Sequence, residues 1–392
     1  MQQFLPHIPW TPESQDVNTR MFPLLLQHLY ATASAPAAKA RRGLWPGDGR
    51  KRRRINLSLQ GGGALGAFTW GVLDQVLADG RTEIEGISGA SAGALNAVVL
   101  ADGLIRGGPE EARARLSEFW RAVSVNGHLP ELQRGVAERL FSFIPRDGSW
   151  LGTLSRFWSP YDLNPLNINP LKDVIERFVD FDKLRRERQL HLFISATNVH
   201  TGELRVFTRK EITPEVVMAS ACLPLLFRAV EIDGVPYWDG GYSGNPTLLP
   251  FLRTTATEDT LIVQLNPVER RKVPTRTREI MSRVSEINFN ASLLSELRSI
   301  EFINKLIDEG RLPRGTGRGE FRRMRLHRIA LDEQMLNTRS AASVEFEYFE
   351  TLHKLGQRAT RRFLDAHFDD IGRRSTIDLA EVEAEVEAEA AE

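Results

Sequence analysis

In "GISGASAGALNA", Gly89, Ser91 and Gly93 spell G-x-S-x-G between a strand-like segment and a helical pattern. Small neighbours allow a turn sharp enough to leave a serine oxygen exposed at a helix N-terminus, the arrangement of a nucleophile elbow. Taken alone, the pattern also fits an ordinary tight turn. Upstream, "INLSLQGGGALGAF" runs an alternating segment into Gly61, Gly62 and Gly63 and then Gly66. Through Gly61, Gly63 and Gly66 this matches G-x-G-x-x-G, a dinucleotide-binding turn. The amides of such a turn can equally point into open space and hold an oxyanion in acyl transfer.

The next segment separates the two readings. A dinucleotide fold places an acidic residue at the end of its second strand. Glu83 and Glu85 fall nearby, yet the strand runs on through Gly86 and Ile87 into the serine motif. Two glycine-rich turns in consecutive βα units put a nucleophile and amide donors at one sheet edge, which favours acyl transfer. The competing classes are an oxidoreductase using "GGGALG" and a catalytically latent lipid-binding or scaffolding module.

A serine needs a base. The downstream candidate is Asp239 in "VPYWDGGYSGNP", followed by Gly240 and Gly241. Spacing does not distinguish it from the D-G turn that hairpins use. The order Ser, acid, His is also that of α/β-hydrolases, and His327, His353 and His367 follow Asp239. None lies in a glycine-rich loop, and His353 and His367, in a helical pattern, read as surface or packing residues.

These residues require strands and helices in alternation. "INLSLQ" and "IEGISG" read as strands; "AFTWGVLDQVLADG", stopped at Gly80, and "AGALNAVVLADGLIRGG" read as helices. This βαβα order implies a parallel sheet with right-handed crossovers. "HLFISATNV" and "GELRVFT" are two strands joined at His200 to Gly202, "PEVVMASACL" is a helix with Pro in its first turn, and "TLIVQLNP" is a buried strand. Long helical patterns cover Thr277 to about Asp308 and Ala341 to about Phe368. The aromatic-rich segment 141–162 reads as core, with a lid or acyl-chain wall as the functional alternative.

With 392 residues, 42% of them hydrophobic, the chain can bury a large α/β core. Its 51 basic and 51 acidic residues cancel, which gives no bulk attraction for nucleic acid. The basic run 50–54 reads as a solvated linker or a contact to anionic headgroups, and the acidic C-terminus as a disordered tail. The apolar patch 21–30 reads as a docked helix or an interfacial anchor. Cys222 is the single cysteine and reads as a small core residue. No cluster has metal-ligand spacing, and no apolar run approaches a spanning length, so a cytoplasmic protein without metal or cofactor is expected. The expected division is an extension and linker (1–54), one α/β domain (55–370) with added helices from about 275, and a tail (371–392).

A G-G-G-x-x-G turn, then G-x-S-x-G, then a distant D-G-G, in that order between Ile55 and about Pro267, resembles the patatin-like phospholipases, as does "ASACLPLLF" at 219–227. Members hydrolyse lipid acyl esters with a Ser-Asp dyad in place of a triad. The resemblance implies a three-layer α/β/α sandwich with a mostly parallel central sheet and added C-terminal helices. It implies Ser91 as nucleophile, Asp239 as base and Gly61, Gly62 and Gly63 as the oxyanion turn, with Gly66, Gly89, Gly93, Gly240 and Gly241 supporting the motifs. The implied partners are a lipid ester and, peripherally, a membrane. Gln60 stands where an aspartate often precedes the glycines, a change expected to leave catalysis intact. Leu65 replaces a common basic residue and removes charge-based help to an oxyanion or an anionic headgroup. Because an aspartate with a solution pKa of ~3.9 is a weak base, the site is expected to be partly dry.

Overall fold

The structure, a computed structural model, describes residues 44–47, 49, 51–124, 159–163, 167, 169–270, 272–315, 320–331 and 346–377. The apolar patch 21–30, most of the linker, the aromatic segment before Ser159 and the chain beyond Ile377 lie outside the described residues.

Eight strands form one sheet: β1 (Arg53–Leu59), β2 (Thr82–Gly89), β3 (His191–Asn198), β4 (Leu204–Thr208), β5 (Val230–Ile232), β6 (Val235–Asp239), β7 (Asp259–Gln264) and β8 (Arg325–Ala330). β1 pairs in parallel with β2 and β7, β2 with β3, and β7 with β8, whereas β4, β5 and β6 pair antiparallel. The principal helices are α1 (Gly66–Asp79), α2 (Ala92–Gly107), α3 (Pro109–Ala122), α4 (Pro170–Phe178), α5 (Pro214–Ser220), α6 (Thr277–Asp308) and α7 (Phe346–His367). Steps from β1 to β2 to β3 cross the sheet one way, and the step from β7 to β8 crosses it the other. Right-handed crossovers therefore put α1 and α2 on one face and α6 on the opposite face, giving the α/β/α layering. The parallel strands are buried on both faces, as Leu57, Leu59, Leu261 and Val263 show for one and Asn56, Ser58 and Ile262 for the other.

Register decides what meets at the sheet's edge. Leu59 lies opposite Gly89, and Gly89 opposite Ile194. On β3, β4 occupies residues 193–197, so β2 (on 191–194) and β6 (on 196–198) must share the other flank. β6 thus runs head-on toward the C-terminal end of β2. Its last residue, Asp239, pairs with Ala196, two positions beyond the row of Gly89. The turns after β1 and β2 and the end of β6 converge by topology alone.

Three strands, β5, β6 and β8, escaped the sequence reading. The D-G signal belongs to Asp233–Gly234, where φ values of 52° and 78° suit the turn of the β5–β6 hairpin, and "VPYWD" is strand rather than loop. β8 alternates arginine and histidine with apolar residues and has no continuous apolar run. Cys222 is 1% exposed, within the core.

The three histidines are committed to packing. His327, fully buried, pairs through Nε2 with Asp259 at 3.1 Å and through Nδ1 with Thr376 at 3.2 Å, at the start of β7. His353 pairs with Asp74 at 3.1 Å and stacks on Trp70 at 3.9 Å, fastening α7 to α1. His367 pairs with Asp370 at 3.0 Å. The Thr-His-Asp order around His327 imitates a triad, but Asp259 lies at the opposite end of the sheet from Ser91.

Asp259 also binds Arg325 at 2.8 Å and accepts the Gly372 amide at 2.8 Å, tying the C-terminal segment to β7 and β8. Burial opposes its charge, but His327, Arg325 and that amide prevail and hold its pKa at about 2. The stability it contributes is therefore complete above the ordinary carboxylate range and is lost as pH falls toward 2. Asp259→Asn, measured by chemical denaturation at pH 7, is expected to lose about 2 kcal/mol, because Arg325 keeps only Glu258 as counter-charge and the Gly372 amide loses a charged acceptor.

Candidate active site

Ser91 is the N-cap of α2, with φ 53° and ψ −123°, a conformation that side chains rarely adopt. The turn closes because position 93 lacks a side chain: a Cβ on Gly93 would lie 2.1 Å from the Leu59 carbonyl oxygen. The Ser91 amide donates to Ser220 Oγ at 3.0 Å, and the Ala90 amide to the Leu59 carbonyl at 3.3 Å. Asn96, one turn into α2, donates from Nδ2 to the Gly66 and Ala92 carbonyls, both at 3.0 Å, and accepts the Trp120 indole N–H at 3.0 Å. One buried amide side chain thus ties the serine helix to the glycine turn.

That turn passes directly beside the serine. A Cβ on Gly61 would fall 2.7 Å from the Ser91 Cβ, so only glycine fits there. Both ends of the Gly61 peptide group are pinned: its N–H donates to Asn245 Oδ1 at 2.7 Å and its carbonyl accepts Asn266 Nδ2 at 3.0 Å. This corrects the expectation that all three glycine amides can face an oxyanion, since the Gly61 N–H is already used. The Gly62 and Gly63 amides have no acceptor among the described residues.

Gln60 explains how the turn is held without the aspartate seen in similar sequences. Fully buried, it accepts the Leu265 and Asn266 amides on Oε1 at 2.7 and 2.9 Å. A carboxylate could accept those bonds as well. It could not, when charged, make the third one, Nε2 donating to Asn290 Oδ1 at 2.9 Å. Gln60 and Asn290 are therefore a matched pair, with Asn290 on α6. The same helix supplies Ser292, whose Oγ accepts the Asn245 amide at 3.0 Å, and the Phe289 carbonyl, which accepts Asn245 Nδ2 at 3.2 Å.

Asp239 is fully buried. Oδ1 accepts the Gly241 amide at 2.7 Å, while Oδ2 has no hydrogen-bond partner. Its own amide donates to the Cys222 carbonyl at 2.8 Å, and its carbonyl accepts Thr197 Oγ1 at 2.8 Å. A Cβ on Gly240 would meet the Ser195 carbonyl oxygen at 2.2 Å, which seats this turn against β3. Burial pushes the carboxyl up to about 7, against the Gly241 amide and the neighbouring Ser91 hydroxyl, which both favour the charged form. The hydroxyl is near enough to act on the carboxylate without forming a hydrogen bond of full geometry. No charged side chain contributes to the shift.

Ser91, Asp239 and the glycine turn, all singled out in the sequence, thus meet at one place. Ser220, Cys222, Thr197, Asn245, Gln60 and Asn290 were not anticipated as a network, although "ASACL" holds two of the contacts. Glu83 and Glu85 do not belong to the site. They lie toward the start of β2, where Glu83 faces Arg54 at 3.7 Å and Glu85 accepts the Thr257 amide at 2.9 Å. An acidic residue for ribose hydroxyls is missing from the strand end where a dinucleotide would bind, which removes the basis of the oxidoreductase reading.

No curated protein sequence matches the chain. Among solved structures it is similar to VipD from Legionella pneumophila, at 16% identity and a TM-score of 0.38 over 88% of this chain and 73% of that one. It is similar also to the ExoU–SpcU complex of the Pseudomonas aeruginosa type III secretion system, at 17% identity and a TM-score of 0.26 over 88% and 70%. The family model described as patatin-like phospholipase matches residues 57–252, half of the chain, from within β1 to just beyond the aspartate loop. The matched span contains the glycine turn, the serine turn and Asp239, and on that match the chain belongs to the patatin-like phospholipase family.

Proposed function

We propose that the protein is a serine-dependent lipid acyl hydrolase that cleaves carboxylic esters through an acyl-enzyme on Ser91, with Asp239 as base. The observation that carries this reading is the meeting of a strained serine with a fully buried carboxyl that its hydroxyl influences and that keeps one oxygen unpartnered. Asp239 takes the Ser91 proton as Oγ bonds to the ester carbonyl carbon. The carbonyl oxygen becomes an oxyanion beside the Gly62 and Gly63 amides. Collapse of the intermediate breaks the ester C–O bond, and the departing alcohol receives the proton from Asp239. Water then attacks the acyl-serine, its proton passing through Asp239 back to Ser91 as the free acid leaves.

A base works best when its pKa lies near the operating pH, and burial gives Asp239 that property without a histidine. Family membership supports a lipid ester as substrate. The first test is hydrolysis of p-nitrophenyl esters of increasing chain length, with labelling by a fluorophosphonate. Ser91→Ala should lose both turnover and label, and turnover surviving in that variant would sink the proposal.

Because only the charged carboxylate accepts a proton, kcat should rise with pH through an apparent pKa of about 7. Asp239→Asn should lower kcat at least a thousandfold, on the order of 4 kcal/mol of transition-state stabilisation, while remaining folded. The sign for stability is the reverse. With its folded pKa raised, Asp239 holds a proton that the unfolded chain releases above about 4, so stability falls as pH climbs from 4 to 7. Asp239→Asn should flatten that part of the stability curve, measured by thermal unfolding at intervals across this range. An unchanged slope would mean that the carboxyl is not perturbed.

Asn245→Ala leaves the Gly61 N–H without its acceptor. It should cost about 1–3 kcal/mol of stability, and kcat should fall more than KM rises, since the turn rather than a substrate contact is loosened. A loss of stability with kcat and KM both unchanged would mean that catalysis does not depend on this bond.

A further inference from the structure

α6 presents apolar side chains on two sides. Facing the protein are Phe289, Leu293, Leu297 and Ile300, all buried. Facing outward are Ile280, Val284 and Ile287, at spacings of four and three residues and 43, 47 and 52% exposed, with Met281 beside them at 58%. Residues so spaced form one stripe along a helix. Val273, just before the helix, is 86% exposed. At the other border Tyr242, 46% exposed, packs on Phe289 at 5.5 Å, which carries the apolar surface to the edge of the aspartate loop.

The fringe of this stripe is basic. Two of its cations, Arg270 and Arg283, are tied to Glu286, and two others reach solvent. Lys272 is exposed, and the Arg276 side chain is 85% exposed, with Glu279 only at 4.0 Å. An aliphatic stripe edged by long basic side chains suits the boundary between headgroups and acyl chains, where the apolar residues enter and the cations stay at phosphate level. The stripe holds aliphatic residues and no Trp, Tyr or Arg anchor of the kind that dominates protein interfaces. A second copy of the chain would bring like-charged fringes together.

We propose that the first turns of α6, with the basic segment leading into them, dock on an anionic lipid surface and bring the Ser91 site to the layer containing its ester. The substrate half of this statement rests on the acyl-hydrolase reading; the docking half does not. The test accordingly starts from Ser91→Ala protein, with thin-layer chromatography checking that the vesicle lipids stay intact during the assay. Sedimentation with phosphatidylcholine vesicles, with and without one-third phosphatidylserine, should show stronger binding to the anionic ones. Adding Ile280→Gln, Val284→Gln and Ile287→Gln together should weaken that binding at least tenfold with circular dichroism unchanged. Lys272→Gln with Arg276→Gln should weaken it several-fold on anionic vesicles alone, and added salt should erase the difference.

With Ser91 restored, the apolar triple variant should hydrolyse a dispersed short-chain ester as wild type does, yet lose hydrolysis of vesicle lipid. Parent-like binding by the triple variant would overturn the proposal. So would light scattering that finds a dimer which the triple variant breaks, for the face would then belong to a second copy. Vesicle binding that depends on the stripe, in a protein inert toward every ester, would uphold the docking and reject the hydrolase.

Discussion

A carboxyl group without solvent contact is expensive to ionise, and the architecture around Asp239 answers to that constraint. The strand β6 delivers it to the end of β2, the Gly241 amide satisfies one oxygen, and the other has no hydrogen-bond partner. Tyr242 lies close enough for the Asp239 charge to help, after burial, to push its own hydroxyl up to about 12. Burial likewise, with that charge second, pushes the Cys222 thiol up to about 12. Both neighbours therefore stay neutral when Asp239 ionises, and no second charge competes for the proton. Leu65, in the place of a common basic residue, is consistent with this economy: a cation at the site would favour the carboxylate and draw its pKa back down.

The glycine turn poses a complementary problem. Its backbone must approach the serine closely and still have its buried polar groups paired. Gln60, Asn245, Asn266 and Asn290 meet that need with neutral amides that donate and accept. A network of carboxylates could accept the same amide bonds, but it would place like charge near Asp239 and raise the cost of ionising it further. The polar network also leaves the turn's remaining donors, Gly62 and Gly63, unspent. Rigid support on one side and free amides on the other is the arrangement that electrostatic catalysis requires, because the dipoles need no reorganisation as charge develops.

What could be read from the sequence follows from how local each demand is. The serine turn and the glycine turn declare themselves because backbone geometry excludes side chains at positions such as Gly61 and Gly93. The bounds of α6 come from a sustained pattern over many turns. By contrast, Ser220 acts through one hydrogen bond and Asn245 through three, all to partners far along the chain, and a single polar residue has no periodicity to betray it. The β5–β6 hairpin was legible in principle through Asp233–Gly234, but a second D-G pair six residues later, with a chemical meaning of its own, drew the signal away. The match between Gln60 and Asn290 could not be foreseen, since its logic is the donor that a carboxylate lacks.

α6 shows a limit of another kind. Periodicity identifies a helix from its apolar repeat, and it assigns the core side only when the other side is polar. Here Phe289, Leu293 and Leu297 repeat on one side and Ile280, Val284 and Ile287 on the other, so the pattern is that of a helix without revealing which side is covered. The buried set is concentrated toward the C-terminal part and the exposed set toward the N-terminal part, overlapping near residues 287–289. At that overlap the inward residues hold Asn245 and pack on the aspartate loop, while Ile287 faces out. A helix packed against a sheet along its whole length could turn polar residues outward everywhere; this one exposes Ile280, Met281, Val284 and Ile287 along its first turns, up to where it passes the site, with Phe302 alone further on, and selection for solubility alone would not favour that.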